Sequence, residues 1–286
     1  MTDDNRDKFS YVAGRYGQII KFYNVEKICA DEINYINQLF EKEHTSESFS
    51  MGKFYRLLAS QIFSEIEKVI YLDSDIIVNL DINELWKISL GDKPIAAVPE
   101  FEMGSNLMDY MLSCQEGIVD FKNYFNSGVL VINLQKIRQS EIENIKEKII
   151  FRAQNPQYSY YDQEILNYCF SKNYLKLPNK FNVFTFISRN IKNFCTENRI
   201  IHYAARSVQT DMSDNFNKLW FSYFEKTPWF NKDIIVHIDE EIKKIVHQVG
   251  VQFQNLALQV SALISGKSRV FVTIGQNIDA KKNFLT

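Results

Sequence analysis

The stretch Lys68-Val-Ile-Tyr-Leu-Asp-Ser-Asp-Ile-Ile-Val78 decides the reading, because an apolar run enters two carboxylates one residue apart and resumes behind them. Val69, Ile70, Tyr71 and Leu72 form the short continuous run expected of a buried parallel strand. Alternation along an extended backbone would put Asp73 and Asp75 on one side and Ser74 on the other. Two charges set into apolar sequence are costly unless a ligand or solvent receives them. Oxygen donors just beyond the carboxyl end of a strand suit a divalent cation that holds a phosphate, since ligands of open α/β sheets collect there. About one Asp-x-Asp arises by chance in a chain of this Asp content, so the pair counts only in context. An exposed turn with solvated Asp side chains is the plain alternative.

Outward from this stretch, residues 18–25 read as a first strand and residues 5–25 as the end of a helix followed by that strand. Helical spacing covers 31–43, with Ile33, Ile36, Leu39 and Phe40 on one face, and 51–66, with Phe54, Leu57, Leu58, Ile62 and Ile66. Residues 94–98 read as a buried strand. Phe125-Asn-Ser-Gly-Val-Leu-Val-Ile-Asn-Leu134 reads as a central strand, opened by Asn126, Ser127 and Gly128, where small residues let backbone approach a ligand. A charged helix is expected over 135–154 and a shorter one over 161–170, carrying Asp162 and Gln163. Residues 199–203 form a late strand ending at His202. Strands alternating with helices predict a layered α/β sheet.

The composition excludes more than it selects. A net charge of −2 and a pI near 6.1 provide no basic field for nucleic acid. Cys29, Cys114, Cys169 and Cys195 are widely spaced, with no Cys-x-x-Cys pair, as expected of reduced thiols. The longest apolar segments fall short of the roughly 20 residues of a membrane-spanning helix. From about residue 238 the pattern changes: Ile242, Val246, Val249, Phe253, Leu256, Val260 and Leu263 make an apolar helical stripe up to Gly266. Three readings of that stripe stand: a helix folded onto the domain, a homodimer contact, or contact with a membrane surface through the thin basic fringe of Lys243, Lys244, Lys267 and Arg269.

Taken in order, Lys53-Phe-Tyr-Arg56, Tyr71-Leu-Asp-Ser-Asp75, Tyr124-Phe-Asn-Ser-Gly-Val-Leu-Val-Ile-Asn-Leu134, Tyr161-Asp-Gln-Glu-Ile-Leu-Asn167 and Ile200-Ile-His-Tyr203 resemble glycosyltransferase family 8, the retaining GT-A enzymes. The five blocks, with Lys226-Thr-Pro-Trp-Phe230 behind them, span most of the first 231 residues. The resemblance implies an α/β, Rossmann-like GT-A fold with a mixed, mostly parallel sheet flanked by helices. It implies a catalytic domain over 1–231 and a helical extension over 232–286. It implies Asp73, Asp75 and His202 as ligands of Mn²⁺ or Mg²⁺, the imidazole suiting Mn²⁺ better. Arg56, Asp73, Ser74, Asp75 and Arg206 would meet a UDP-sugar donor, while Asn126, Asp162 and Gln163 would lie at the transferred sugar. The implied reaction moves glucose or galactose onto a lipopolysaccharide or other glycan acceptor, in the cytoplasm or at the inner face of the membrane.

Two departures from the family are visible. The strand, Ala/Asp-rich turn and helix that bind uridine find no match, so the chain is expected to lack the first βα unit, about fifty residues. After His202, Ala205 and Val208 stand where the family has Gly and Lys, and Arg206 is the cation expected to compensate. Pro99-Glu100 stands where members often carry an Asp facing the sugar. A catalytically impaired remnant that binds a sugar or a protein is therefore the alternative function, and a nucleotidyltransferase using the same carboxylates is a third.

Overall fold

The computed structural model describes residues 2–43, 50–103, 112–158, 161–189, 191, 194–204 and 214–230. The apolar stripe after residue 238, the cation Arg206, and the substituted positions Ala205 and Val208 lie outside them. The chain divides into two compact units, Met1–Lys226 and Thr227–Thr286. Among the described residues, no helix is long and apolar enough to cross a membrane.

Among the described residues, seven strands build two sheets: β1 (Lys68–Leu72), β2 (Ile76–Asn79), β3 (Ile95–Pro99), β4 (Phe125–Asn133), β5 (Leu175–Lys176), β6 (Val183–Phe184) and β7 (Arg199–His202). The larger sheet has the order β1-β4-β3-β5 and the smaller β2-β7-β6. Side chains of β3 and β4 alternate between two cores. Ile95, Ala97, Leu130 and Ile132 pack among helices Ala30–Leu39, Leu134–Ser140, Ile142–Gln154 and Tyr161–Phe170, while Ala96, Val98, Val129 and Val131 face Leu85, Phe184 and Ile200. The sheet is thus covered on both faces, which is why the runs 95–98 and 129–132 are continuously apolar.

The strand pairings correct the expected strand direction. The fold is mixed α/β, but β1/β4, β3/β4 and β2/β7 are antiparallel, and the parallel pairings are β3/β5 and β6/β7. A continuous apolar run reports two buried faces and carries no information on direction. Residues 18–24 likewise do not form the expected strand: they have no regular secondary structure, no described strand pairs with them, and Ile19 is 88 % exposed.

Other differences have local causes. The expected helix over 51–66 is a 3₁₀-helix, Met51–Leu58, followed by the α-helical turn Ala59–Ile62. Three residues per turn align Phe54 with Leu57 in the core and leave Arg56 on a different side, toward the sheet. The charged helix breaks at Glu141, where the Ser140 hydroxyl donates back to the Lys136 carbonyl at 3.2 Å and competes with the helical ladder. Helix Tyr161–Phe170 has the expected bounds.

Asn167 fastens this helix to β4. Its side-chain oxygen accepts from the Phe125 N–H, and its amide nitrogen donates to the Phe125 and Gln163 carbonyls, each at 2.9 Å. The residue is fully buried, so no water can substitute. Replacement Asn167→Ala should destabilise the fold by about 2–4 kcal/mol, since it strands a buried backbone donor and acceptor. Urea unfolding followed by circular dichroism should show a lower midpoint at unchanged slope.

Candidate active site

Asp73, Ser74 and Asp75 carry the chain from the end of β1 in one sheet to the start of β2 in the other. The carboxylates are therefore not brought together by alternation along one strand, as expected, but by this crossing. Its two ends are pinned: the Asp73 N–H donates to the Gly128 carbonyl of β4, and the Tyr203 N–H donates to the Asp75 carbonyl, both at 2.9 Å. The β2/β7 register then sets Ile76 opposite His202. His202 Nε2 lies 3.3 Å from Asp75 Oδ1 and 3.9 Å from Asp73 Oδ2.

One ligand atom from each of Asp73, Asp75 and His202 falls within 4.8 Å of the others. His202 is buried, whereas the Asp75 side chain is 47 % exposed, so the cluster opens to solvent on the Asp75 side. The hydrogen bond with His202 is the main reason the Asp75 carboxyl is held below its usual range. Two oxygens and one imidazole nitrogen within this spacing fit a divalent metal ion. Ser74 is exposed in the turn between the two carboxylates.

Arg56 lies behind this cluster rather than in the open. Its Nη2 donates to Asp73 Oδ1 at 2.8 Å, and its Nη1 donates to the Ser127 carbonyl at 2.7 Å and hydroxyl at 3.1 Å. Its Nε is 2.8 Å from Asp162 Oδ2, close as a charge pair but not aligned as a hydrogen bond. The guanidinium also stacks on the Tyr71 ring at 4.3 Å, and the Tyr71 hydroxyl donates to the same Asp73 oxygen at 2.6 Å. Burial raises the Asp162 carboxyl and Arg56 opposes that rise. The expected donor-binding Arg is thus engaged by protein acceptors and joins Asp73 to Asp162.

Asn126, Gln163 and Glu100 form the neighbouring polar group. Asn126 Nδ2 donates to Gln163 Oε1 at 2.9 Å and to Glu100 Oε1 at 3.3 Å. Its Oδ1 accepts from the Gly128 N–H at 2.9 Å and from Asn182 Nδ2 at 2.8 Å. Each hydrogen-bonding position of this amide is taken by protein, so its first task is to orient its neighbours. Gln163 Oε1 also accepts from the Ser127 N–H and hydroxyl, and Gln163 Nε2 donates to the Tyr124 hydroxyl. Burial pushes the Glu100 carboxyl up to about 7, against hydrogen bonds from Asn126 and Gln163 that pull it down.

The structure therefore brings Arg56, Asp73, Asp75, Asn126, Asp162, Gln163 and His202 into one connected region. Sequence reasoning missed Tyr71 and Asn182 as members. For Asn182 there was a signal of the same kind as at Asp73: one polar residue inside the apolar run Phe181-Asn-Val-Phe184. Gly128 was expected to admit a ligand, but what it admits is His202. A Cβ there would lie 2.3 Å from His202 Cε1 and 2.8 Å from Nδ1.

Sheets of this topology, with an acid-acid-imidazole cluster where the chain changes sheet, have the arrangement of a GT-A fold. The molecule's fold is similar to that of the galactosyltransferase LgtC, solved in complex with donor and acceptor sugar analogs, with a TM-score of 0.53 at 22 % identity over 68 % of this chain and 74 % of that one. The family model for glycosyl transferase family 8 matches residues 1–207, and the chain belongs to that family. Similar proteins include a lipopolysaccharide 1,2-glucosyltransferase of Escherichia coli, 26 % identical over 285 residues, covering 94 % of this chain and 76 % of that protein. General stress protein A of Bacillus subtilis (strain 168) is 23 % identical over 246 residues, 79 % of each chain.

Two measurements test this geometry. Gly128→Ala should force His202 aside, weakening Mn²⁺ binding in calorimetric titration and costing about 1–3 kcal/mol of stability through overpacking. Glu100, whose folded pKa is raised, favours the folded state when protonated. Its contribution is complete below its unfolded value of 4.5 and is lost as pH rises to about 7. The loss amounts to about 3 kcal/mol, and Glu100→Gln should remove this decline from a plot of melting temperature against pH.

Proposed function

We propose that the protein is a metal-dependent retaining hexosyltransferase that moves glucose or galactose from a UDP-sugar to a lipopolysaccharide or related glycan acceptor. The observation that carries this reading is the convergence of Asp73, Asp75 and His202 at the crossing between the sheets. These three side chains would hold Mn²⁺ or Mg²⁺, which when bound supplies Lewis-acid stabilisation of charge on a departing diphosphate. The acceptor class follows the similarity to the Escherichia coli lipopolysaccharide glucosyltransferase.

The chain's own residues have distinct tasks in this reading. Arg56 and the Tyr71 hydroxyl both engage Asp73 Oδ1, which fixes that oxygen and leaves Oδ2 toward His202. Asp162, buried and paired with Arg56, presents negative charge to a sugar that gains positive character as its anomeric bond breaks. Gln163 Oε1 already accepts from Asn126 and Ser127, so it is poorly placed to act as a nucleophile. That favours same-face attack, with the leaving phosphate taking the acceptor's proton, over a covalent glycosyl intermediate on Gln163.

The test is release of UDP from UDP-glucose and UDP-galactose, with Mn²⁺ and with chelator. Release should require the metal, and Asp75→Ala should reduce it to background while circular dichroism stays unchanged. Metal-independent release by the parent, or full release by Asp75→Ala, would overturn the reading. Absence of release by a parent that still binds UDP and Mn²⁺ would establish the impaired, binding-only alternative.

A further inference from the structure

Asn182 precedes β6 and is fully buried between two groups of different function. Its Oδ1 lies 2.9 Å from His202 Nδ1, and its Nδ2 lies 2.8 Å from Asn126 Oδ1. The roles of these atoms follow from two backbone amides, which can only donate. The Ser127 N–H points at Gln163, so the atom it meets is the amide oxygen, and Asn126 must present its nitrogen there. The Gly128 N–H points at the other end of Asn126, which is consequently the oxygen.

Asn182 must then offer its nitrogen to that oxygen, because two facing oxygens at this distance would repel. Its own oxygen is left for His202, and an oxygen acceptor requires Nδ1 of the imidazole to carry the proton. Nε2 is therefore the nitrogen left for a metal ion, which would replace the proton shared with Asp75, and it is the one that faces Asp73 and Asp75. Gly128 lies against the Cε1–Nδ1 edge of the ring and Phe184 packs edge-on at 5.2 Å, contacts that favour this arrangement.

We propose that Asn182 is a positioning residue that holds His202 with Nδ1 protonated and Nε2 free for a metal ion, and that fixes, through Asn126, the amides on the sugar side. The inference rests on the proposed metal-dependent reading. A directed run of hydrogen bonds then passes from His202 through Asn182 and Asn126 to Gln163, so the imidazole tautomer and the Gln163 orientation are set together. Groups that orient a ligating histidine in this way typically contribute 10–100-fold to metal affinity.

The experiment combines a tautomer measurement with metal titration. Nitrogen-15 spectra of the metal-free parent, with His202 assigned by its loss in His202→Gln, should show the Nδ1–H form. Asn182→Leu, which removes both bonds, should shift His202 away from that form and weaken Mn²⁺ binding about 10–100-fold. Asn182→Asp, which keeps the acceptor for Nδ1–H but cannot donate to Asn126, should retain Mn²⁺ binding and lose UDP-sugar turnover. A parent in which Nδ1 carries no proton would overturn the inference even if Asn182→Leu failed to fold. So would unchanged tautomer and Mn²⁺ affinity in Asn182→Leu, or equal loss of Mn²⁺ binding in both variants. A parent that has the Nδ1–H tautomer but binds no Mn²⁺ would instead count against the metal-dependent function, leaving the role of Asn182 in orienting the ring intact.

Discussion

The site depends on a three-residue crossing between two sheets whose ends are both held by main-chain hydrogen bonds. Asp73 is tied to Gly128 and Asp75 to Tyr203, so the roots of both carboxylates are fixed before any side-chain torsion is considered. His202 joins them because the β2/β7 ladder sets it opposite Ile76. Three donor groups are thus located mainly by backbone pairing, the least adjustable interaction available to a protein. Such placement lets the cluster exist without a ligand to assemble it, which is the condition for preorganised charge stabilisation.

The surrounding polar groups solve a problem that the buried strand creates. Asn126, Ser127 and Gly128 open β4 inside a core, where unpaired polar atoms would be costly. Gln163, Asn182 and Arg56 answer Asn126 and Ser127 from separate elements, Asn126 Oδ1 and the Asp73 N–H answer Gly128, and the same bonds that remove the desolvation cost fix the functional geometry. Arg56 shows the balance most clearly. Between Asp73 and Asp162 it offsets repulsion between two carboxylates, while Asp75 and the exposed side of the cluster keep a negative character suited to a cation.

Much of this was legible in the sequence, and the rest was not for physical reasons. The spans of β3, β4, β7 and helix Tyr161–Phe170 follow from apolar periodicity, and Asp73, Asp75, Asp162, Gln163 and His202 follow from the five ordered blocks. Strand direction was not legible, because apolar runs such as Ile95–Pro99 record burial on two faces and nothing about the neighbour. Residues 18–24 have the composition of a strand, yet a strand exists only with a partner. The extra work of Arg56 was hidden because its acceptor Ser127 is 71 positions away, and that of Asn182 because His202 is 20 away. The break at Glu141 turns on one serine hydroxyl, a choice that helix spacing does not encode.

Asn167 gives the molecule a particular mechanical character. By bonding both main-chain groups of Phe125 and the Gln163 carbonyl, it welds the helix that bears Asp162 and Gln163 to the strand that bears Asn126 and Gly128. The floor of the site then behaves as a single plate and not as two jaws that could spread around cargo of differing bulk. Adjustment to ligands of differing size then falls to the solvent-facing rim, where Ser74 and Asp75 stand.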